Sequence, residues 1–111
     1  MDQGDIYLVN LDPVTHTETG KTRPGIILSV HAMNYNSPRL VVATITSSMK
    51  KIYPFEVAIP TDVSGPTTES NIMLDQVRSL DKRRLVKKLG VLDKERPAKA
   101  CAIVQKLISL D

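Results

Sequence analysis

The sequence predicts a small, mainly β protein: a compact antiparallel sheet or barrel with helix at the C-terminal end. Three observations predict it. Short runs rich in β-branched and aromatic residues recur through the first two-thirds of the chain. Turn-rich segments separate them, too irregular for the crossover helices of a parallel sheet. Clear helical periodicity is confined to the last third. The 111 residues allow one domain, 1–111, with enough interior for a single core.

Gly4–Asn10 (GDIYLVN) reads as the first strand, Pro24–Val30 (PGIILSV) as the second and Leu40–Ile45 (LVVATI) as the third. Tyr53–Ile59 (YPFEVAI) alternates outward and inward residues, and Asn71–Leu80 (NIMLDQVRSL) closes the set. The connecting segments are Asp12–Thr22, His31–Arg39, Ser47–Lys51 and Pro60–Ser70, the last interrupted by Pro60, Gly65 and Pro66. Asp81 is placed to cap a short helix in which Leu85 and Leu89 lie one turn apart, with Gly90 as a left-handed stop. A second helix starts near Asp93 or Lys94 and carries Pro97 in its first turn, where Pro is tolerated. Cys101, Val104 and Ile108 form one stripe of it, with Ile103, Leu107 and Leu110 beside. That apolar arc is wide for a surface helix, and predicts packing on the sheet, on a second subunit, or on both.

Hydrophobic residues make up 41% and charged residues 24%, which suits a folded globular chain and not a disordered one. No apolar run approaches the ~20 residues of a membrane helix, so no membrane partner is expected. The polar opening Met1-Asp2-Gln3-Gly4-Asp5 does not resemble a signal peptide, and a cytoplasmic location is expected. The single Cys101 makes no internal disulfide, and His16 and His31 have no metal-ligand spacing to it or to each other. Neither a metal nor a cofactor is expected. Residues 1–77 carry five basic and eight acidic side chains, residues 78–111 ten basic and four acidic. A basic end attracts polyanions, nucleic acid first, although two solvated lysine-rich helix faces give the same count.

Phosphate-cradling glycine loops, dinucleotide fingerprints and nucleophile elbows are absent. A long polar segment, Asp12–Thr22, instead delivers Arg23-Pro24 to the start of a strand. Pro24 biases Arg23 to extended backbone, so its guanidinium projects from a strand entrance. Further on, Thr46-Ser47-Ser48 sets three hydroxyls where a strand runs into a turn.

In these residues the chain resembles the MazF/PemK family of toxin endoribonucleases over nearly its full length. The resemblance rests on Gly4-Asp5-Ile6-Tyr7, Asp12-Pro13, Glu18, Arg23-Pro24, Thr46-Ser47, Tyr53-Pro54-Phe55-Glu56-Val57 and Asp75-Gln76-Val77-Arg78-Ser79-Leu80, in the family's order. It implies an SH3-like barrel of antiparallel strands with a C-terminal helix, assembled as a homodimer. It also implies metal-independent, sequence-specific cleavage of single-stranded RNA. The implied partner is an antitoxin whose acidic, disordered C-terminal segment blocks the RNA groove, and operator DNA is reached only through that antitoxin. Carried over to this chain, the catalytic pair is Arg23 and Thr46. A subset of the family uses a first-loop histidine and an arginine–x–aspartate pair. Here Thr17 precedes Glu18, with His16 one position earlier, Met73 stands where that arginine would lie, and only Asp75 is retained.

Elementary chemistry agrees with the pair. RNA supplies its own nucleophile, so the protein must stabilise charge on phosphoryl oxygens and align the attack. A guanidinium donates two parallel hydrogen bonds to phosphate, and a threonine hydroxyl donates one more. Candidate RNA-binding residues are Glu18, Lys21, Thr22, Ser47, Ser48, Tyr53, Asp75 and Gln76, with Tyr53 and Phe55 suited to stacking on unpaired bases. Each has a plainer reading. Arg23 could pair with Glu18 or Glu56, Thr46 could be an ordinary strand threonine, and Phe55 could be core. Two other functions stay open: a non-catalytic CcdB-like gyrase poison on the same barrel, and a plain nucleic-acid-binding module.

Overall fold

The computed structural model describes residues 1–11, 21–47, 55–59 and 70–109. In chain order these form β1 (Asp5–Asn10), β2 (Thr22–Ile27), α1 (His31–Asn36), β3 (Arg39–Ser47), β4 (Glu56–Ile59), β5 (Ser70–Asp81), a 3-10 turn (Lys82–Arg84), β6 (Leu85–Val91) and α2 (Glu95–Leu107). The strands build one sheet in the order β4-β5-β3-β2-β1-β6, with every pairing antiparallel. The mainly β chain with a C-terminal helix is the class the sequence predicts.

Both faces of the sheet are apolar, which is why its central strands read as continuous runs and not as strict alternation. Ile6, Ile26, Ala43, Ile45 and Ile72 belong to one buried cluster, which Ala100, Cys101, Ile103 and Val104 of α2 cover. Val9, Ile27, Leu40, Val42 and Leu80 form a second cluster on the opposite face, flanked by Leu11 and Leu85. The helical arc therefore divides. Its first half packs on the sheet, whereas Leu107 and Ile108 are 48% and 78% exposed.

Two expectations change. The helix expected after Asp81 is only the 3-10 turn, whose cap is Asp81 accepting from Arg83 N at 2.9 Å. Leu85 to Val91 instead run as β6 along β1, with Gly90 level with Ile6 and not left-handed. A spacing of four residues fits a strand as well as a helix, and β6 satisfies backbone groups that the outer edge of β1 would otherwise leave open. Conversely, the connecting segment after Val30 contains α1, which has no side-chain cap. The fully buried Asn34 fixes it, with Nδ2 donating to the carbonyls of Met1 and Ser29 at 2.9 Å each. Ser29 Oγ in turn donates to Asn34 Oδ1 and accepts from Val41 N.

Candidate active site

The face that α2 leaves free holds an open cleft of about 520 Å3, lined by Leu11, Arg23, Thr44, Thr46, Met73, Gln76, Val77 and Arg78. Strand register explains the grouping. Gly25 of β2 pairs with Thr44 of β3. Carrying that register two residues outward sets Arg23 level with Thr46, on the same face because side chains alternate. On the other side of β3, Val42 pairs with Arg78. One alternation of β2, β3 and β5 thus turns Arg23, Thr44, Thr46 and Arg78 the same way.

A break in register opens the cleft between β3 and β5. Ala43 pairs with Val77 and Ile45 with Ile72, so the single residue Thr44 faces the four residues Met73 to Gln76. Such insertions bend a strand and re-aim its side chains. Here the bulge turns Gln76 back over β3, where Thr44 Oγ1 donates to Gln76 Oε1 at 3.4 Å, a long hydrogen bond. Beside Thr46 in the ladder lies Asn71, buried, with its Oδ1 lacking any hydrogen-bond partner among the described residues.

Of the residues singled out from the sequence, Arg23, Thr46 and Gln76 meet at the cleft. Asp75 is exposed and outside the lining, as are Lys21 and Thr22, although the Lys21 carbonyl accepts from Leu11 N at 2.8 Å and so ties Lys21 to the cleft's edge. Ser47 ends β3 opposite Ser70. Phe55 is half-buried, its carbonyl accepting from Leu74 N. His16, Glu18, Ser48 and Tyr53 lie outside the described residues. The plain reading of Arg23 as a partner of Glu56 fails, since the Arg23 side chain has no ion pair or hydrogen bond to a described residue. Thr44 and Arg78 were not foreseen. The signal for Arg78 was its spacing: it stands two residues beyond Gln76, and alternate residues of a strand share a face.

A family model for the PemK-like, MazF-like toxins of type II toxin–antitoxin systems matches residues 2–108. The chain belongs to that family. It is 37% identical to the endoribonuclease EndoA of Bacillus subtilis over 94 residues, covering 84% of this chain and 81% of EndoA. Against the endoribonuclease MazF of Staphylococcus epidermidis it is 38% identical over 95 residues, covering 85% and 79%. A MazE–MazF complex of Deinococcus radiodurans contains a chain with the same fold, at 28% identity, a TM-score of 0.81 and coverage of 100% of this chain and 97% of that one. Within this PemK/MazF-like frame, the cleft on the face away from α2 is the candidate active site.

Proposed function

We propose that this chain is a toxin endoribonuclease that cuts single-stranded RNA at a short sequence, without a metal ion, and is neutralised by a cognate antitoxin. The observation that carries the reading is that Arg23 and Thr46 line one open cleft on the face of the sheet away from α2. The relatives named as endoribonucleases support the same reaction.

The 2′-hydroxyl oxygen attacks the adjacent phosphorus. The O2′–P bond forms as the P–O5′ bond breaks, leaving a 2′,3′-cyclic phosphate on one fragment and a 5′-hydroxyl on the other. One proton leaves the 2′-oxygen and one is delivered to the departing 5′-oxygen. Arg23 donates paired hydrogen bonds to the non-bridging oxygens and offsets the charge that builds there in the transition state. Its basicity is too high for a general base, so its second task is to protonate the leaving oxygen. Thr46 donates one neutral hydrogen bond and holds the phosphate in line. Gln76 presents an amide to a base edge, and Glu18, Lys21, Thr22, Ser47, Ser48, Tyr53 and Asp75 bind the flanking nucleotides. The MazE–MazF complex supports an antitoxin partner, and the exposed Leu107 and Ile108 support a homodimer.

Purified protein incubated with a long unstructured RNA tests the reading. Cleavage in the presence of a chelator, with cyclic-phosphate and 5′-hydroxyl ends, is the expected result. Intact RNA, or cleavage of the same RNA carrying 2′-fluoro in place of every 2′-hydroxyl, overturns it. Retention of RNA with no change in its length favours a binding module instead.

A further inference from the structure

We propose that Arg78 is a second phosphate-binding arginine, which holds a backbone phosphate of single-stranded RNA other than the one being cleaved. The inference deepens the reading above and rests on it. The pairing of the arginines carries it first. All six arginines of the chain are described, and four are tied down. Arg39 Nε donates to Ser79 Oγ, Arg83 Nε to the Asp81 carboxylate, Arg84 Nη1 to the Asn10 carbonyl, and Arg96 to Asp93 and the Ala58 carbonyl. The two whose side chains have no partner among the described residues are Arg23 and Arg78, and these are the two that line the cleft.

Among the described residues, no carboxylate lines the cleft with them. Two uncompensated guanidinium groups around one open volume attract an anion, and a planar guanidinium fits the paired oxygens of a phosphate. A polyanion suits them better than a single ion, because their roots lie apart. Arg23 is level with Thr46 on one side of β3, and Arg78 is level with Val42 on the other. Four residues along the strand and two strands across put their Cα atoms roughly 16 Å apart. Side chains stand nearly perpendicular to a sheet, so the two groups do not converge on one phosphate. They suit two phosphates of one strand of RNA, with Arg23 at the reacting one beside Thr46.

Different phosphates give different signatures. A contact to the reacting phosphate strengthens in the transition state, whereas a contact to another phosphate serves binding. The probe is a single-stranded RNA with every 2′-hydroxyl replaced by fluoro, which binds without being cut. Its dissociation constant with wild type, Arg78→Ala, Arg78→Lys and Arg23→Ala is measured against salt, and kcat and KM are measured with the unmodified RNA. Arg78→Ala is expected to weaken binding roughly tenfold and to flatten the salt slope by about 0.7. The loss in turnover falls on KM, and Arg78→Lys recovers most of it. Unchanged affinity and slope in a folded Arg78→Ala overturn the proposal, which would leave Arg78 a solvated surface cation. So does a fall in kcat as large as that of Arg23→Ala with the slope unchanged. If wild type binds the fluoro-RNA but cuts no RNA, the nuclease reading fails, and the salt slope still decides whether Arg78 holds a phosphate.

Discussion

Arg23 and Thr46 both line the cleft, each two residues outward of the Gly25–Thr44 pair that ends the ladder between β2 and β3. The relationship puts a cation and a hydroxyl on the cleft from residues of two neighbouring strands. Sites built on strands are positioned more tightly than sites on loops, which suits a reaction governed by alignment.

The first prediction concerns that pair. Arg23→Ala is expected to lower kcat by roughly a hundredfold or more, the scale for losing a preorganised charged donor. Thr46→Ala is expected to cost about tenfold, because a neutral hydroxyl contributes the weaker hydrogen bond. Arg23→Lys recovers only part of the loss, since a point charge lacks the paired donors. Single-turnover cleavage with each variant checked for native circular dichroism gives the comparison, and full activity in Arg23→Ala removes Arg23 from the chemistry.

The rung beneath the pair depends on a missing side chain. A Cβ on Gly25 would lie 3.2 Å from Val9 Cγ2 and 3.4 Å from the Ala43 carbonyl oxygen, both well inside the buried sheet. Gly25→Ala is therefore expected to destabilise by about 1–3 kcal/mol through overpacking. Urea unfolding should show a lower midpoint at unchanged slope.

Asp5 is a buried carboxylate, 3% exposed, that accepts from Asp2 N at 2.9 Å and faces Lys88 Nζ at 3.5 Å. Lys88 joins β6 to β1 through this contact. Asp5→Ala removes the acceptor but leaves Lys88, itself half-exposed, free to hydrate, so the expected cost is about 1–3 kcal/mol and not the larger penalty of a stranded buried charge. Lys88→Ala leaves the carboxylate in place and buried. Thermal unfolding of the two variants tests whether the carboxylate carries the effect.

Cys101 sits half-buried on α2 against the sheet, and burial pushes its thiol above the ordinary value of 9.0. The neutral form is the one the fold favours. Its contribution to stability is present below the unfolded thiol's value and is lost as pH rises through the folded one. Alkylation at neutral pH is expected to be slower than for a free cysteine, and to accelerate only at alkaline pH. Equal rates for folded and urea-unfolded protein at neutral pH would contradict this.

Much of the frame was legible because it is local. The runs that became β1, β2, β3 and β5 carry their apolar residues in the chain itself, and Pro97 marks the first turn of α2 as expected. Arg23 could be picked out because Pro24 fixes it at a strand entrance, and Gln76 because an amide in a strand suits a base edge. The segment after Asp81 misled, since Leu85 and Leu89 fit both periods and local capping by Asp81 is satisfied by a single turn. Helix α1 was hidden for the opposite reason: its stability comes from Asn34 bonding to Ser29 and Met1, not from helix-forming residues.

The sequence by itself determined the strands β1, β2, β3 and β5, where the last helix begins, and which arginine stands at a strand entrance. Those features depend on residues a few positions apart, where propensity and alternation act directly. Only the tertiary structure decided that residues 85–91 join β1, that Thr44 faces four residues of β5, and that the Arg78 side chain lines the cleft with no partner among the described residues. Each of these is a choice among hydrogen-bond or charge partners distant in sequence. It was settled by which backbone edge stood open and by which carboxylates were already engaged, conditions that exist only once the sheet has formed.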